Sequence, residues 1–424
     1  MKFFQPKIID ALKSYNSKQL TNDLIAGLIV AIIALPLSIA LAIASGVDPE
    51  KGLYTAIVAG FVIALLGGSR VNISGPTAAF AVIVAGIVAD YGIDGLAIAT
   101  VLAGVLLILM GICRVGSLIK YIPNTVTTGF TSGIAVTIAI GQPKDFFQLS
   151  YPQGTHNVET LHKATNVIKY ISGTSVMAVV IGLLGLAILI FWPRISKRIP
   201  GSLIAVFIGV IVVKLLSIGV NTIGDLYPNI TNAPPTFSLP DFSLDKVIKL
   251  IPSAFTIAIL AAIESLLSCV VSDEMINDKH NSNTELIAQG TGNICSALFG
   301  GIPATGAIAR TAANVKNGGR SPISGIVHAI VLFLVLIIFM PYAKWIPMPI
   351  IAAILFMVAY NMSEWRHFVK ICKNSPFDDI IVLVATFALT VIFDLVVAIA
   401  VGMMLYLAFI LFRKIRVKNK KESN

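Results

Sequence analysis

The sequence predicts an all-α polytopic membrane protein of fourteen transmembrane segments, arranged as two inverted repeats of seven. Three observations carry that prediction. The 424 residues are 56% hydrophobic and only 12% charged, with a mean hydropathy of +0.89, a balance foreign to water-soluble folds. The apolar runs approach or reach the ~20 residues that a spanning helix needs. Two of these runs are short and open after a Gly/Pro break at matching places in the two halves, at Ser74-Gly-Pro-Thr77 and Pro303-Ala-Thr-Gly306. Interrupted segments in corresponding positions are the sequence mark of a site between inverted repeats.

The elements follow in order. Residues 1–22 form a polar N-terminal segment without a signal-peptide cleavage pattern. The first repeat, residues 23–218, opens with Asp23–Ala44, which contains Pro36, and Leu53–Leu66. The short third segment, Ala78–Val88, follows, then Leu96–Ile112, Val126–Ile140, Val176–Trp192 and Ile204–Leu216. Residues 219–245 are a polar, Pro-rich linker holding Asp225, Asp241 and Asp245, predicted to be extracellular. The second repeat, residues 246–412, has Val247–Val271, Leu286–Leu298 and a broken element starting near Gly306. Ile323–Met340, Ile346–Tyr360, Ile380–Phe393 and Leu395–Leu411 complete it, and residues 413–424 are a basic tail. Seven is odd, so the second repeat enters the membrane with opposite polarity. The two short helices then come from opposite faces and point their N-termini at each other near the midplane.

Charge supports this path. With a cytoplasmic N-terminus, 22 of the 31 Lys and Arg residues fall on the inner side, including Arg114, Lys120, Arg194, Lys197, Arg198, Lys316, Arg320 and Arg366. That bias sets both termini inside the cell, with the protein in the inner or plasma membrane. The net charge of +10 therefore concerns topology and not a nucleic-acid partner. Trp192 and Trp345 sit at span ends, as interfacial aromatics do.

Few ionisable groups lie within spans. Arg310 ends the broken run Phe299–Thr311; a charge at that depth costs at least about 2.5–3.5 kcal/mol and marks a functional site. A half-helix beginning near Gly306 would aim its first N–H groups at the same small space as Arg310, and the two together make an anion site. Glu264 lies well inside its helix, where a carboxyl could carry a proton or form an ion pair with Arg310. Asp394 reads as a helix N-cap, Lys214 as a snorkelling cation, and His328 as a helix–helix hydrogen-bonding group. The other histidines are unclustered loop residues. Arg70 and Arg320, next to Gly67-Gly68 and Gly318-Gly319, read as inner-surface anchors. Gly- and Ala-rich stretches such as Ala56–Gly60 read as close helix packing. The four cysteines have no CxxC pairing, so neither a metal site nor a disulfide framework is predicted. No GxSxG, P-loop or HExxH pattern is present. No cofactor and no enzyme activity are predicted, and any energy for the protein's work would come from an ion gradient or downhill flow.

These residues resemble the sulfate permease family of anion transporters. The resemblance rests on Asn22-Asp-Leu-Ile-Ala-Gly-Leu, Ala34-Leu-Pro-Leu, Gly67-Gly-Ser-Arg, Ser74-Gly-Pro-Thr-Ala, Ile122-Pro with Gly129-Phe-Thr-Ser-Gly, Ile263-Glu-Ser-Leu-Leu and Gly318-Gly-Arg. It implies a mobile core domain sliding against a gate domain, and a homodimer. It places the anion against Thr77 and Ala78 of the third segment and Ala307, Ile308, Ala309 and Arg310 of the tenth. The first segment would contribute around Pro36–Ala40, including Ser38, and Glu264 would couple a proton, with Ser268 a turn beyond. Leu37 and Leu41 stand where many sulfate transporters of the family carry glutamine and tyrosine, which leaves the anion open between bicarbonate and sulfate. Sodium-coupled bicarbonate members have aspartate at Glu264 and threonine at Ile308; isoleucine is no ligand for a hard cation, so the resemblance favours the proton over sodium. Most members continue into a cytosolic regulatory (STAS) domain, whereas this chain stops at Asn424. The function this implies is secondary active transport of a small inorganic anion. The competing readings are an uncoupled chloride or nitrate path, sodium–bicarbonate symport, dicarboxylate transport, a nucleobase–cation symporter and, weakest, a membrane-embedded enzyme.

Overall fold

A computed structural model describes residues 4–13, 15–117, 123–152, 154–157, 159–196, 199–393 and 395–422. The side chains of residues 395–396 and 412–422 are not among those described. Asp394, Lys120, Lys197, Arg198 and Ile122, which figure in the sequence reading, lie outside the described residues.

The described chain is helical nearly throughout. It runs through α1 (Lys7–Lys13), α2 (Ser17–Ala44), α3 (Pro49–Leu66), β1 (Ser74–Gly75), α4 (Ala78–Ile112), α5 (Asn124–Gly141), α6 (Pro143–Phe146) and α7 (Thr160–Tyr170). It continues with α8 (Val176–Ile195), α9 (Gly201–Leu215), α10 (Ile223–Leu226), α11 (Leu244–Ile276), α12 (Ser282–Leu298), β2 (Thr305–Gly306) and α13 (Ile308–Lys316). It ends with α14 (Ile323–Ala343), α15 (Met348–Met362), α16 (Trp365–Asn374), α17 (Phe377–Ile392) and α18 (Leu395–Glu422). Seven of the described helical runs are long and apolar enough to cross a membrane.

Several boundaries differ from the sequence reading. α2 starts at Ser17, six residues before Asp23, because Asn16 caps it by accepting from the Gln19 N–H at 2.9 Å. The third and fourth predicted segments form one run, α4, whose direction changes at Gly92, with φ 69°; only glycine takes that conformation without strain. α7 and α16 were not predicted. Both are too short and too charged to read as spans, and α16 alternates Arg366, Lys370 and Lys373 with Phe368, Val369 and Ile371.

The helices pack as two groups. In the first, α2, α3 and α14 lie together, α4 lies against α11 and α12, and α13 bridges α11 and α2. In the second, α5 packs on α15 and α17, α8 on α9 and α15, and α17 on α18. The groups meet more sparsely, through α2 with α9 and α15 and α4 with α5. A cavity of about 390 Å3 follows that boundary, between Ala81 and Ala85 of α4 and Thr137, Gln142, Met348 and Leu355 of the second group.

Small residues set the spacing within each group. Where α4 crosses α12, a Cβ on Gly104 would stand 2.6 Å from the Gly290 carbonyl oxygen, and a Cβ on Gly290 would stand 2.4 Å from that of Gly104. The two backbones touch, which is how helices associate when lipid is as apolar as leucine. Gly402 is pressed likewise against the Thr386 hydroxyl. At the span ends, Lys214 places its ammonium 4.0 Å from the centre of the Trp345 ring, so its cation is held by an aromatic at the interface.

Gly104→Val should force α4 and α12 apart. Overpacking of this kind costs about 1–3 kcal/mol, read as a lowered thermal midpoint in detergent; an unchanged midpoint would contradict the close crossing.

Candidate functional site

Helical hydrogen bonding stops at two places inside the first group, residues 67–77 and 299–307. At membrane depth every free N–H and C=O there needs a partner within the protein. Some pair with each other. β1 and β2 are antiparallel, with Ser74 opposite Gly306 and Gly75 opposite Thr305, and the Ala307 N–H donates to the Ile73 carbonyl at 2.8 Å.

The rest are held by side chains. α12 presents Glu285, Gln289, Asn293 and Ser296, all fully buried, at a spacing that puts them on one helix face. Glu285 accepts from the Gly68 and Ser69 N–H groups at 2.9 and 3.3 Å and from the Asn72 amide at 2.8 Å. Gln289 donates to the Ser74 hydroxyl at 3.0 Å. Asn293 accepts from the Ala304 N–H at 2.8 Å and donates to the Ala304 carbonyl at 2.9 Å. Ser296 donates to the Ile302 carbonyl at 2.8 Å. From α11, Ser265 accepts from the Gly306 N–H at 3.0 Å, and Ser268 donates to Asn72 at 2.8 Å. From α13, Thr311 accepts from the Ile73 N–H at 3.0 Å. Both broken approaches are thereby fixed by one polar ladder.

The chain leaves the two-stranded ribbon in opposite directions, into α4 and α13. Their N-cap residues, Thr77 and Ala307, make no side-chain capping bond. Thr77 instead donates its hydroxyl to Glu264 Oε2 at 3.0 Å. First-turn amides without a cap carry the positive end of the helix dipole, where anions bind. Ile308 is 43% exposed, Ala309 is exposed, and Thr77, Ala307 and Glu264 are partly so. These are the surfaces that a solute at the helix starts would meet.

Arg310 lies behind that surface. It is 2% exposed, and its Nη2 donates to the Pro76 carbonyl at 2.8 Å. Among the described residues its Nε and Nη1 have no hydrogen-bond partner. A Cβ on Gly75 would stand 2.6 Å from Nη1, so glycine at 75 makes room for the guanidinium. The cation is enclosed by protein, and it adds its field to two helix starts.

The structure therefore brings Thr77, Ala78, Glu264, Ala307, Ile308, Ala309 and Arg310 to one place, and it corrects several expectations. The half-helix begins at Ile308, two residues past Gly306, because Thr305–Gly306 is taken up by β2. Glu264 and Arg310 form no ion pair; each bonds elsewhere. Ser38 is fully buried, its hydroxyl without a partner among the described residues, packed where Gly52 meets its carbonyl, so it presents no accessible surface. Ser268 is fully buried and supports Asn72. Among the described residues the His328 ring nitrogens make no hydrogen bond, although the side chain is fully buried. His280 is not a free loop residue: its Nδ1 lies 2.7 Å from Asp273 and its Nε2 2.9 Å from Ser282.

The sequence reading missed the α12 ladder. It started that span at Leu286 and so left Glu285 outside, where a charge seemed to belong. The available signal was polar side chains at i, i+4 and i+8, namely Glu285, Gln289 and Asn293, on one face of a segment treated as plainly apolar.

The sulfate permease family model matches residues 20–385. The chain belongs to the sulfate permease family. It is 44% identical over 402 residues to the putative sulfate transporter YvdB of Bacillus subtilis, covering 95% of this chain and 75% of that one. It is 33% identical over 401 residues to the bicarbonate transporter BicA of Picosynechococcus, covering 91% and 69%. The transmembrane domain of a cyanobacterium bicarbonate transporter BicA superposes with a TM-score of 0.81 at 30% identity, over 92% of this chain and 98% of that chain. The overall structure of SLC26A9 matches in fold, with a TM-score of 0.87 at 19% identity over 96% and 68%. This sulfate permease family member is thus a helical membrane protein of transporter type, and not an enzyme.

Glu285→Ala removes the acceptor shared by the Gly68 and Ser69 N–H groups and the Asn72 amide and leaves those three donors buried and unpaired. The loss should be about 3 kcal/mol or more, while Ile308→Ala, on the open surface, should stay within about 0.5 kcal/mol. Comparing thermal midpoints of the two purified variants checks this; equal midpoints would contradict the role given to the ladder.

Proposed function

We propose that this protein is a secondary active transporter of a small inorganic anion, bicarbonate or sulfate, coupled to protons. One observation carries the reading. Two uncapped helix starts lie beside one short ribbon, backed by a buried arginine with two unpartnered nitrogens. Oriented amides and an enclosed cation attract a small anion without a full ion pair, so the anion can also leave. The names of the relatives, sulfate and bicarbonate transporters, support the same class of solute.

The remaining assignments belong to this proposal. The anion contacts the first-turn amides of α4 and α13 beside Thr77, Ala78, Ala307, Ile308 and Ala309, with Arg310 supplying charge from behind. Glu264, hydrogen-bonded to Thr77, takes up and releases the coupling proton. The first helix group, including both half-helices, moves as a body against the second, elevator-like. Sparse contacts and a cavity along the boundary between the groups support that motion. Two inverted repeats of seven segments, residues 23–218 and 246–412, give the half-helices their opposed directions. Both termini are cytoplasmic, and the protein works as a homodimer in the cell membrane.

Uptake of labelled bicarbonate and sulfate into proteoliposomes tests the site. Arg310→Ala should lower uptake about tenfold or more, since a buried charged donor contributes about 1.5–3 kcal/mol. Glu264→Gln should still accept from Thr77 but lose the response to an imposed proton gradient. Wild-type transport and wild-type proton dependence in both variants would overturn the assignment.

A further inference from the structure

A second cavity, of about 430 Å3, opens at the end of the first helix group proposed above as cytoplasmic. It lies where the start of α2, the turn at Gly67–Arg70, the end of α11 and the turn after α13 meet. Lys18, Asn22, Arg70, Asp278, Gly318 and Arg320 line it. Gly318 takes φ 99°, and a Cβ there would stand 3.5 Å from that of Asn22, so the turn closes against α2. The two Gly-Gly-x-Arg and Gly-Gly-Arg turns, which looked like separate surface anchors in the sequence, share one hollow.

Its charge is unbalanced. Three cations face one carboxylate, and that carboxylate is already engaged: Asp278 sits 3.1 Å from Arg70 Nε and 3.2 Å from Lys7 Nζ. Arg320 uses Nη1 on the Val315 and Gly319 carbonyls, both at 2.7 Å. Among the described residues, the terminal nitrogens of Arg70, Nε and Nη2 of Arg320 and the Lys18 ammonium have no partner. Like charges brought together around a hollow repel one another unless an anion lies between them. The 28-residue α2 adds its N-terminal dipole, with Asn16 capping only the Gln19 N–H.

We propose that this cavity binds a phosphate-bearing anion from the cytoplasmic side and regulates the protein through it. A phosphate group offers two charges and several acceptor oxygens, which suits donors converging from three separate elements. The volume also leaves room for a small organic substituent. Arg70 leads into β1, and Arg320 follows α13, so an anion held by both ties α2 to the two segments that carry the half-helices. The Asp23 carboxylate holds the 320–321 backbone independently, accepting from the Arg320 N–H at 2.8 Å, so the turn persists when the cavity is empty.

The test uses the whole protein in nanodiscs of phosphatidylcholine, titrated with inorganic phosphate or glycerol 3-phosphate at constant ionic strength, with the thermal midpoint as readout. Phosphate should stabilise the protein. Lys18→Glu, an exposed change with no native bond to lose, should raise the half-saturating concentration about tenfold, and Arg320→Gln should act similarly. Arg310→Ala should leave that concentration unchanged. A parallel series in nanodiscs containing phosphatidic acid identifies the source: stabilisation seen only there, and weakened by Lys18→Glu, assigns the phosphate to a lipid headgroup. No stabilisation in either series, equal responses of Lys18→Glu and wild type, or loss with Arg310→Ala alone would overturn the proposal. The last outcome would place phosphate at the half-helices.

Discussion

The structure depends on one constraint: a peptide group without a helical bond cannot lie unpaired at membrane depth. Two stretches of this chain break that bonding near the middle of the helix group, and each break needs partners. They find some in one another, through the β1–β2 ribbon. They find the rest on the buried face of α12, with help from Ser265, Ser268 and Thr311. With those groups held, the first turns of α4 and α13 start without a side-chain cap, both beside the one ribbon.

The arginine follows from the same geometry. Its Nη2 is spoken for by the Pro76 carbonyl, a group freed by the first break, and it reaches that carbonyl because residue 75 has no side chain. The guanidinium acts here as a fixed source of field behind two dipoles, not as a surface hook. Under the proposed function, such an arrangement would attract an anion by electrostatics distributed over several weak elements. A full ion pair at the same depth would hold its solute too firmly for passage, since binding must permit release.

Close packing turns this local site into part of a larger body. The Gly104–Gly290 contact brings α4 and α12 near enough for the ladder to reach both approaches. The half-helices, the ladder and α11 therefore belong to one packed group, while α5, α8, α15 and α17 form another. A boundary with fewer contacts and a cavity along it separates the two. Membership of the sulfate permease family and the likeness to the BicA transmembrane domain place this architecture among known anion transporters.

Much of the fold was legible in the amino-acid sequence. Hydropathy alone located nearly every long helix, because a spanning helix has no other way to exist in lipid. The Gly/Pro breaks before Ala78 and Ile308, and the lone arginine at 310, marked the candidate site, because a bilayer tolerates neither without a reason. Other features were decided only in three dimensions. Glu264 pairs with Thr77 and not with Arg310, because the guanidinium turns back toward Pro76. Glu285, which looked like the polar margin of a span, is a buried keystone, because α12 begins one turn earlier than its apolar residues do. Arg70 and Arg320, 250 positions apart, line a single hollow. Hydrophobic periodicity reports which residues leave water; it carries no information about which buried polar groups meet, since that depends on side-chain directions across helices distant in the chain.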